Sequence, residues 1–212
     1  VNSISAAFGG KVLVPWLDPC EVTSLGGKAG GVGWAVSKDW EHSFQEENLL
    51  SSSPFLKWIS LTQQRPDKSK YKLYLGSAYV PPNGGRGLTK SAITGQILAA
   101  IKEMAHLPMM IMGDINTDLT ITSPASSQWQ DVIRGEFCTV LNHVGQWRDV
   151  PTRIPLGDAW YTQSESNLDV VICSLSAMEA LPEVQAIGSG SALDTRGHGM
   201  CPIRPTPLCP HE

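Results

Sequence analysis

An apolar run near the middle of the chain, Met109-Met110-Ile111-Met112, ends abruptly at Gly113-Asp114-Ile115-Asn116. A short apolar segment that is bounded by turn residues predicts a strand buried on both faces. Polar side chains directly after such a strand lie at the rim of a sheet, where loops carry binding and catalytic groups. The sequence therefore predicts a buried central strand with Asp114 and Asn116 at its end.

Length and composition favour a globular domain. The chain has 212 residues, of which 42% are hydrophobic, and this is enough to form one domain with a substantial core. Its net charge of -4 argues against strong, non-specific binding to nucleic acid. Its apolar runs fall well short of the roughly 18 residues that a membrane-spanning helix needs, so we expect no membrane span.

The cysteines indicate a reducing, intracellular compartment. There are five of them, an odd number at irregular spacing that does not fit a disulfide framework: Cys20, Cys138, Cys173, Cys201 and Cys209. Four zinc-type ligands also lie near the C-terminus, namely His198, Cys201, Cys209 and His211. Their spacing matches no common zinc finger, and the prolines between them are typical of an extended tail, so a zinc site is not favoured.

The periodicity of apolar residues predicts more strands than helices. Helical spacing occurs at residues 89–106 and again at 129–144. Strands are expected at residues 30–36, 55–61, 71–80, 168–173 and 184–187, and around 201–203. This order predicts an α+β sandwich with sheets packed inside and helices on the outer faces. We expect one domain over residues 1–204, followed by a proline-rich tail at 205–212.

Other polar residues occur at the ends of these predicted strands or in the adjoining loops. They are Tyr79, Thr152, Ser166, Asp169 and His198. In a layered fold such strand ends can converge on one rim, where carboxylates hold a divalent cation and a carboxamide orients a phosphate oxygen or water. Asp169 lies in an apolar strand and must have partners there, whereas Tyr79 and His198 could equally be ordinary strand-end and loop residues.

Five segments, in this order, resemble the endonuclease/exonuclease/phosphatase family, in particular the endonuclease domains of non-LTR retrotransposons. They are Gly30-Gly31-Val32-Gly33, Ala78-Tyr79-Val80-Pro81-Pro82, Gly113-Asp114-Ile115-Asn116-Thr117, Pro151-Thr152-Arg153 and Ser166-Asn167-Leu168-Asp169-Val170-Val171. The resemblance covers roughly residues 28–204. It implies a four-layer α/β sandwich, here lacking part of the N-terminal strands.

The resemblance also implies a reaction, which is phosphodiester hydrolysis by an activated water with the help of Mg²⁺. Asp114 would orient or deprotonate the water, and Asn116 would hold a phosphate oxygen. Tyr79 would contact the scissile phosphate. Asp169 would orient His198, which would donate a proton or hydrogen bond to the phosphate. The supporting residues would be Thr152 and Ser166.

The chain departs from the family pattern in two places. The family's metal-binding glutamate lies well upstream of the glycine-rich entry, and Glu21 is the only glutamate before Gly30, so it is the candidate metal ligand. The family reads Ser-Asp-His near its end, whereas this chain has Gly197 before His198. The carboxylate directly before the histidine is therefore missing, and Asp169 would be the one that remains.

These departures leave the enzymatic status open. They favour a degenerate domain, derived from a retrotransposon and retained as a structural or protein-interaction module within a protein assembly. The alternative is an active Mg²⁺-dependent endonuclease that hydrolyses DNA, which would be nuclear. A phosphatase or phosphodiesterase for small or lipid substrates is a third hypothesis, disfavoured by the segments around Thr152 and Asp169.

Overall fold

The structure is a computed structural model that describes nine stretches of the chain. They are residues 12–17, 21–22, 28–29, 31–47, 53–64, 68–141, 167–180, 184–186 and 203–205. Thr152, Ser166 and His198 lie outside these stretches, so their proposed roles stay predictions. Most of the predicted tail at 205–212 also lies outside them, and the domain boundaries stay predictions too.

A six-stranded mixed sheet organises the fold. In chain order its strands are β5 (Phe44–Glu47), β6 (Leu56–Gln64), β7 (Lys70–Tyr79), β8 (Met109–Asp114), β9 (Thr139–Val140) and β10 (Asp169–Cys173). Across the sheet they are ordered β5-β6-β7-β8-β10-β9. The β7–β8 pair is parallel, and the other pairs are antiparallel. The predicted central strand is thus confirmed as β8, with neighbours on both sides.

The remaining strands form three antiparallel pairs. These strands are β1 (Val12–Leu17), β2 (Glu21–Val22), β3 (Lys28–Ala29), β4 (Gly33–Ser37), β11 (Val184–Ala186) and β12 (Ile203–Pro205). Strand β1 pairs with β4, β2 pairs with β3, and β11 pairs with β12. A 3₁₀ helix, Lys38–Ser43, connects β4 to β5.

Helix α1 (Lys90–Met104) makes the crossover that the parallel β7–β8 pair requires. Its N-cap is Thr89, whose side chain accepts a hydrogen bond from the Ala92 N–H. Its apolar side chains recur at helical spacing and are buried. The helix predicted at residues 89–106 is therefore confirmed. Among the described residues, no helix is long and apolar enough to cross a membrane.

The sheet has an apolar core on each face. Trp58, Ile97 and Ile111 belong to one cluster, which also contains Trp129 of α2 (Pro124–Gly135). Val36 of β4 and Met110 belong to the second cluster. Because Met110 and Ile111 bury opposite faces of β8, the strand is covered on both sides, as its apolar run predicts. The α+β class is confirmed, and the four-layer arrangement stays a prediction.

The second predicted helix is wrong at both ends. Helix α2 begins at Pro124, after the Ser123 cap, and ends at Gly135 instead of continuing to residue 144. Glycine has low helix propensity, and Phe137 then adopts a positive φ of 53°, which turns the chain away from the helix axis. The following residues form β9, in which Val140 pairs with Ile172. A short helix, α3 (Leu175–Ala180), follows β10.

Gly113 allows β8 to approach β7 closely. The two strands pair Gly113 with Ala78, and a Cβ atom at position 113 would lie 1.8 Å from the Ala78 backbone oxygen. No side chain fits in that space. The glycine before Asp114 is therefore required by the packing of the sheet itself.

We predict that Gly113→Ala lowers the free energy of unfolding by about 1–3 kcal/mol or more, because β7 and β8 must move apart. Gly95→Ala is the matched control, since nothing lies within 4 Å of a Cβ atom at that position in α1. This control should raise stability by about 0.5–1 kcal/mol through helix propensity. Chemical denaturation measures both, and equal effects of the two substitutions would contradict the close approach at Gly113.

Candidate functional site

Three polar side chains lie in one row across three adjacent strands. Asp114 of β8 pairs directly with Tyr79 of β7 and with Asp169 of β10. Residues that pair directly lie on the same face of a sheet, with Cβ atoms about 4.5–5.5 Å apart. We call these three residues the acidic row. The row lies where β7 and β8 end and β10 begins, so loops from three strands meet there.

The loop after β8 fixes Asn116 next to this row. The Asn116 backbone N–H donates to Oδ1 of Asp114 at 2.8 Å, and its side-chain amide donates to the Val80 carbonyl at 3.0 Å. The φ of Asn116 is 48°, in the left-handed region that asparagine tolerates better than most residues. The Val80 N–H donates in turn to the Asp114 carbonyl at 2.8 Å. Asn116 is thus held between the ends of β7 and β8.

The same loop is also attached to the start of β10. The Ile115 N–H donates to the Leu168 carbonyl at 2.9 Å. Asp118 accepts a hydrogen bond from the Asn167 N–H at 3.0 Å and another from the Thr120 N–H at 2.8 Å. These contacts fix the position of Asp169 relative to Asp114. Asp118 was not among the residues predicted for the site, although the Asp118-Leu119-Thr120 segment is typical of an Asx-turn, which is a local signal.

Lys90 is a second residue near the site that was not predicted from the sequence. It is the first residue of α1, it is half-buried, and its Nζ donates to the Asn116 carbonyl at 2.5 Å. Its only sequence signal is a basic residue directly after the Thr89 cap, where a cation opposes the helix dipole. An ammonium group therefore lies beside the loop that carries Asp114 and Asn116.

Burial and charge both act on the Tyr79 phenol. The pKa of Tyr79 is raised above its usual value of 10.0, mainly by burial and to a smaller extent by the negative charge of Asp114. Tyr79 is therefore a protonated hydrogen-bond donor over the physiological range of pH. A neutral phenol beside a carboxylate can donate to an anionic oxygen without adding negative charge.

Two buried side-chain atoms near the loop have no hydrogen-bond partner within the described part of the chain. They are Oγ1 of Thr117, a residue that is 6% exposed, and Oδ1 of Asn167. Buried polar atoms are normally satisfied by protein, water or a ligand. Thr117 directly precedes Asp118, and Asn167 is the residue whose N–H donates to Asp118.

The donor set of the acidic row fits a hard cation. In the described stretches, no group of three histidine, cysteine, aspartate or glutamate side chains is arranged to hold a metal ion. Mg²⁺, however, usually keeps several water ligands and needs only one or two carboxylates from the protein. Asp114 and Asp169 supply two carboxylates at neighbouring positions. The oxygen chemistry of the row is therefore compatible with Mg²⁺.

The structure brings together four of the residues that the sequence predicted for the site. Tyr79, Asp114 and Asp169 form the row, and Asn116 is bonded to the end of β7. The backbone of Glu21, the candidate metal ligand, lies in β2 and pairs with Ala29. That strand belongs to a separate two-stranded sheet, and the metal role of Glu21 stays a prediction.

The fold of the chain is similar to that of two solved structures. One is the human Nocturnin catalytic domain with bound sulfate, at 12% identity, and the other is an endonuclease/exonuclease/phosphatase family protein from Bacteroides thetaiotaomicron, at 13% identity. Both have a TM-score of 0.45, and the alignments cover 82% of this chain. The chain spans 65% of the length of each structure. No protein-family model and no curated protein matches the sequence significantly.

We predict that Asp114→Asn lowers the pKa of Tyr79 but leaves it above 10.0, because burial is the larger cause of the upward shift. The ring-carbon NMR signals of the four tyrosines, followed against pH, measure this directly. Asp131→Asn, at an exposed carboxylate of α2, is the control and should leave the titration unchanged. If the pKa of Tyr79 is the same in Asp114→Asn as in the wild type, Asp114 does not lie beside the Tyr79 phenol.

The same shift predicts a loss of stability at alkaline pH. The unfolded chain releases the Tyr79 proton near pH 10, before the folded chain does, so the free energy of unfolding falls as pH rises above about 10. The Tyr79→Phe variant should show a smaller alkaline loss. Urea denaturation between pH 8 and 11 measures the difference.

Proposed function

We propose that this domain hydrolyses phosphodiester bonds in DNA with the help of Mg²⁺. The observation that carries the proposal is the row of Tyr79, Asp114 and Asp169 on three adjacent strands, with Asn116 fixed at its end. A phosphodiesterase needs a base for water, donors for the phosphate oxygens and a means of offsetting charge in the transition state. The row offers the first two of these groups in one place.

Each residue of the site has a role that fits its contacts. Asp114 orients the attacking water or takes its proton. Asn116 donates to a non-bridging phosphate oxygen through its carboxamide, because the left-handed loop fixes that side chain at the rim. Tyr79 donates from its neutral phenol. Hydrogen-bond donors that are held in place before the reaction contribute most when they match the charge of the transition state.

Mg²⁺ would be held by Asp114, with Asp169 beside it and Glu21 as a further candidate ligand. When bound, the cation would stabilise negative charge on the phosphate and on the leaving oxygen. Carboxylate oxygens are the ligands that Mg²⁺ prefers. Asp169 would also orient His198, which would donate a proton or hydrogen bond to the phosphate, with Thr152 and Ser166 as supporting residues.

The proposed substrate and compartment come from the sequence motifs. The Pro151-Thr152-Arg153 and Ser166-to-Asp169 segments resemble those of retrotransposon endonucleases, so DNA is the proposed substrate and the nucleus the proposed compartment. The net charge of -4 agrees better with binding at a local site than with binding through a broad basic surface.

A second candidate function is a degenerate copy of such a domain that serves as a structural or protein-interaction module. The observation that favours it is Gly197 directly before His198, where the resembling family has an aspartate. With Gly197 there, Asp169 would be the remaining carboxylate for His198, and a histidine that has lost one of its carboxylate partners is less well oriented and a weaker general acid. The two functions differ in one property, which is turnover.

We predict that the purified chain nicks supercoiled plasmid DNA in the presence of Mg²⁺, and that Asp114→Ala lowers the rate by about 10²–10³-fold or more. Asp131→Ala, which removes an exposed carboxylate from α2, is the matched control and should cleave like the wild type. Agarose gels measure the nicking rate, and calorimetry measures Mg²⁺ binding on the same samples. A folded chain that neither binds Mg²⁺ nor nicks DNA would favour the non-catalytic module.

A further inference from the structure

Lys90 places a positive charge at the edge of the proposed site. Its Nζ donates to the Asn116 carbonyl at 2.5 Å, across 26 residues of sequence. Asn116 itself donates to Oδ1 of Asp114, so a single residue links the ammonium group to the acidic row. The lysine is half-buried, which restricts the positions that its side chain can adopt.

The local structure of α1 does not explain why this residue is a lysine. Position 90 is the first of the helix, directly after the Thr89 cap, and the first turn contains no acidic residue. Cations are unfavourable at a helix N-terminus, where the macrodipole is positive. A residue that opposes its local environment and lies at a candidate site is a candidate for function.

The charges of the site supply a reason for the lysine. Asp114 and Asp169 occupy neighbouring positions, and two carboxylates repel an anionic phosphodiester. An ammonium group offers three donors, of which the Asn116 carbonyl takes one. A cation beside Asn116 can therefore offset the repulsion at the point where Asn116 would hold a phosphate oxygen.

We propose that Lys90 is a substrate-binding residue that contacts a DNA phosphate beside Asn116. This inference rests on the proposed function, since it assigns a further contact to the same site. Lys90 contributes to binding and leaves the chemical step to the acidic row. Its removal should therefore raise KM more than it lowers kcat.

The test measures binding of a fluorescein-labelled 20-base-pair DNA duplex by anisotropy over a series of salt concentrations, with Ca²⁺ in place of Mg²⁺ to limit cleavage. The variants are Lys90→Gln, which removes the charge, and Lys90→Arg, which keeps it. The matched control is Lys102→Gln, at an exposed lysine in the last turn of the same helix, where a cation suits the dipole. Thermal unfolding of each variant checks that it is folded.

We expect Lys90→Gln to bind about tenfold more weakly than the wild type, as removal of a charged hydrogen bond does. The slope of log K against log salt should become smaller by about 0.9, which corresponds to one phosphate contact. Lys90→Arg should keep the wild-type slope, and Lys102→Gln should keep both the slope and the affinity.

Two kinds of failure can be told apart. If the wild type binds the duplex but Lys90→Gln keeps its affinity or its full salt slope, Lys90 has a structural role at most and the inference is overturned alone. If the folded wild type shows no salt-dependent binding to DNA, the proposed function fails and the Lys90 inference fails with it.

Discussion

The fold depends on the close parallel pairing of β8 with β7 at Gly113. A Cβ atom there would lie 1.8 Å from the Ala78 oxygen, so only glycine allows the two backbones to meet at this register. Once Gly113 is opposite Ala78, Asp114 must be opposite Tyr79, because the residues of two paired strands match one to one when the register has no bulge. The antiparallel pairing with β10 then puts Asp169 beside Asp114. One steric constraint in the core thus sets the order of the polar groups at the rim.

The loop after β8 adds hydrogen bonds that hold the polar groups of the candidate site in place. The loop is hydrogen-bonded to both neighbouring strands. The Asn116 side chain donates to the Val80 carbonyl directly after β7, and Asp118 accepts from the Asn167 N–H before β10. Lys90 adds a third attachment from α1. A loop fixed on three sides loses little further freedom when a ligand binds, and preorganised donors are what a charged transition state requires. Under the proposed function, the hydrogen bonds that fix this loop would support both the binding of a phosphodiester and its hydrolysis.

Local sequence patterns predicted many of the strands and helices, but they failed where contacts between residues far apart in sequence determine the structure. The apolar run at 109–112 predicted a strand buried on both faces, and the spacing at 89–106 predicted α1, because each pattern reports burial directly. The second helix exists over residues 129–135, but the predicted end at 144 was wrong because apolar spacing continues past Gly135 into residues that pair with β10 instead. The contacts of Lys90 with Asn116 and of Asp118 with Asn167 were missed because the partners lie 26 and 49 residues apart in sequence. The acidic row could not be predicted from any single segment, because it depends on the order of β7, β8 and β10 in the sheet.

Under the proposed function, Asp114 and Asp169 would bind a divalent cation beside Tyr79. Paramagnetic broadening by Mn²⁺, observed in the amide NMR spectrum of the isotope-labelled chain, tests it most directly, since Mn²⁺ accepts the same oxygen ligands as Mg²⁺. We predict that substoichiometric Mn²⁺ broadens the signals of these three residues and of Asn116 first. Broadening that begins instead at exposed acidic residues such as Glu103 and Asp131, with the row unaffected, would contradict it.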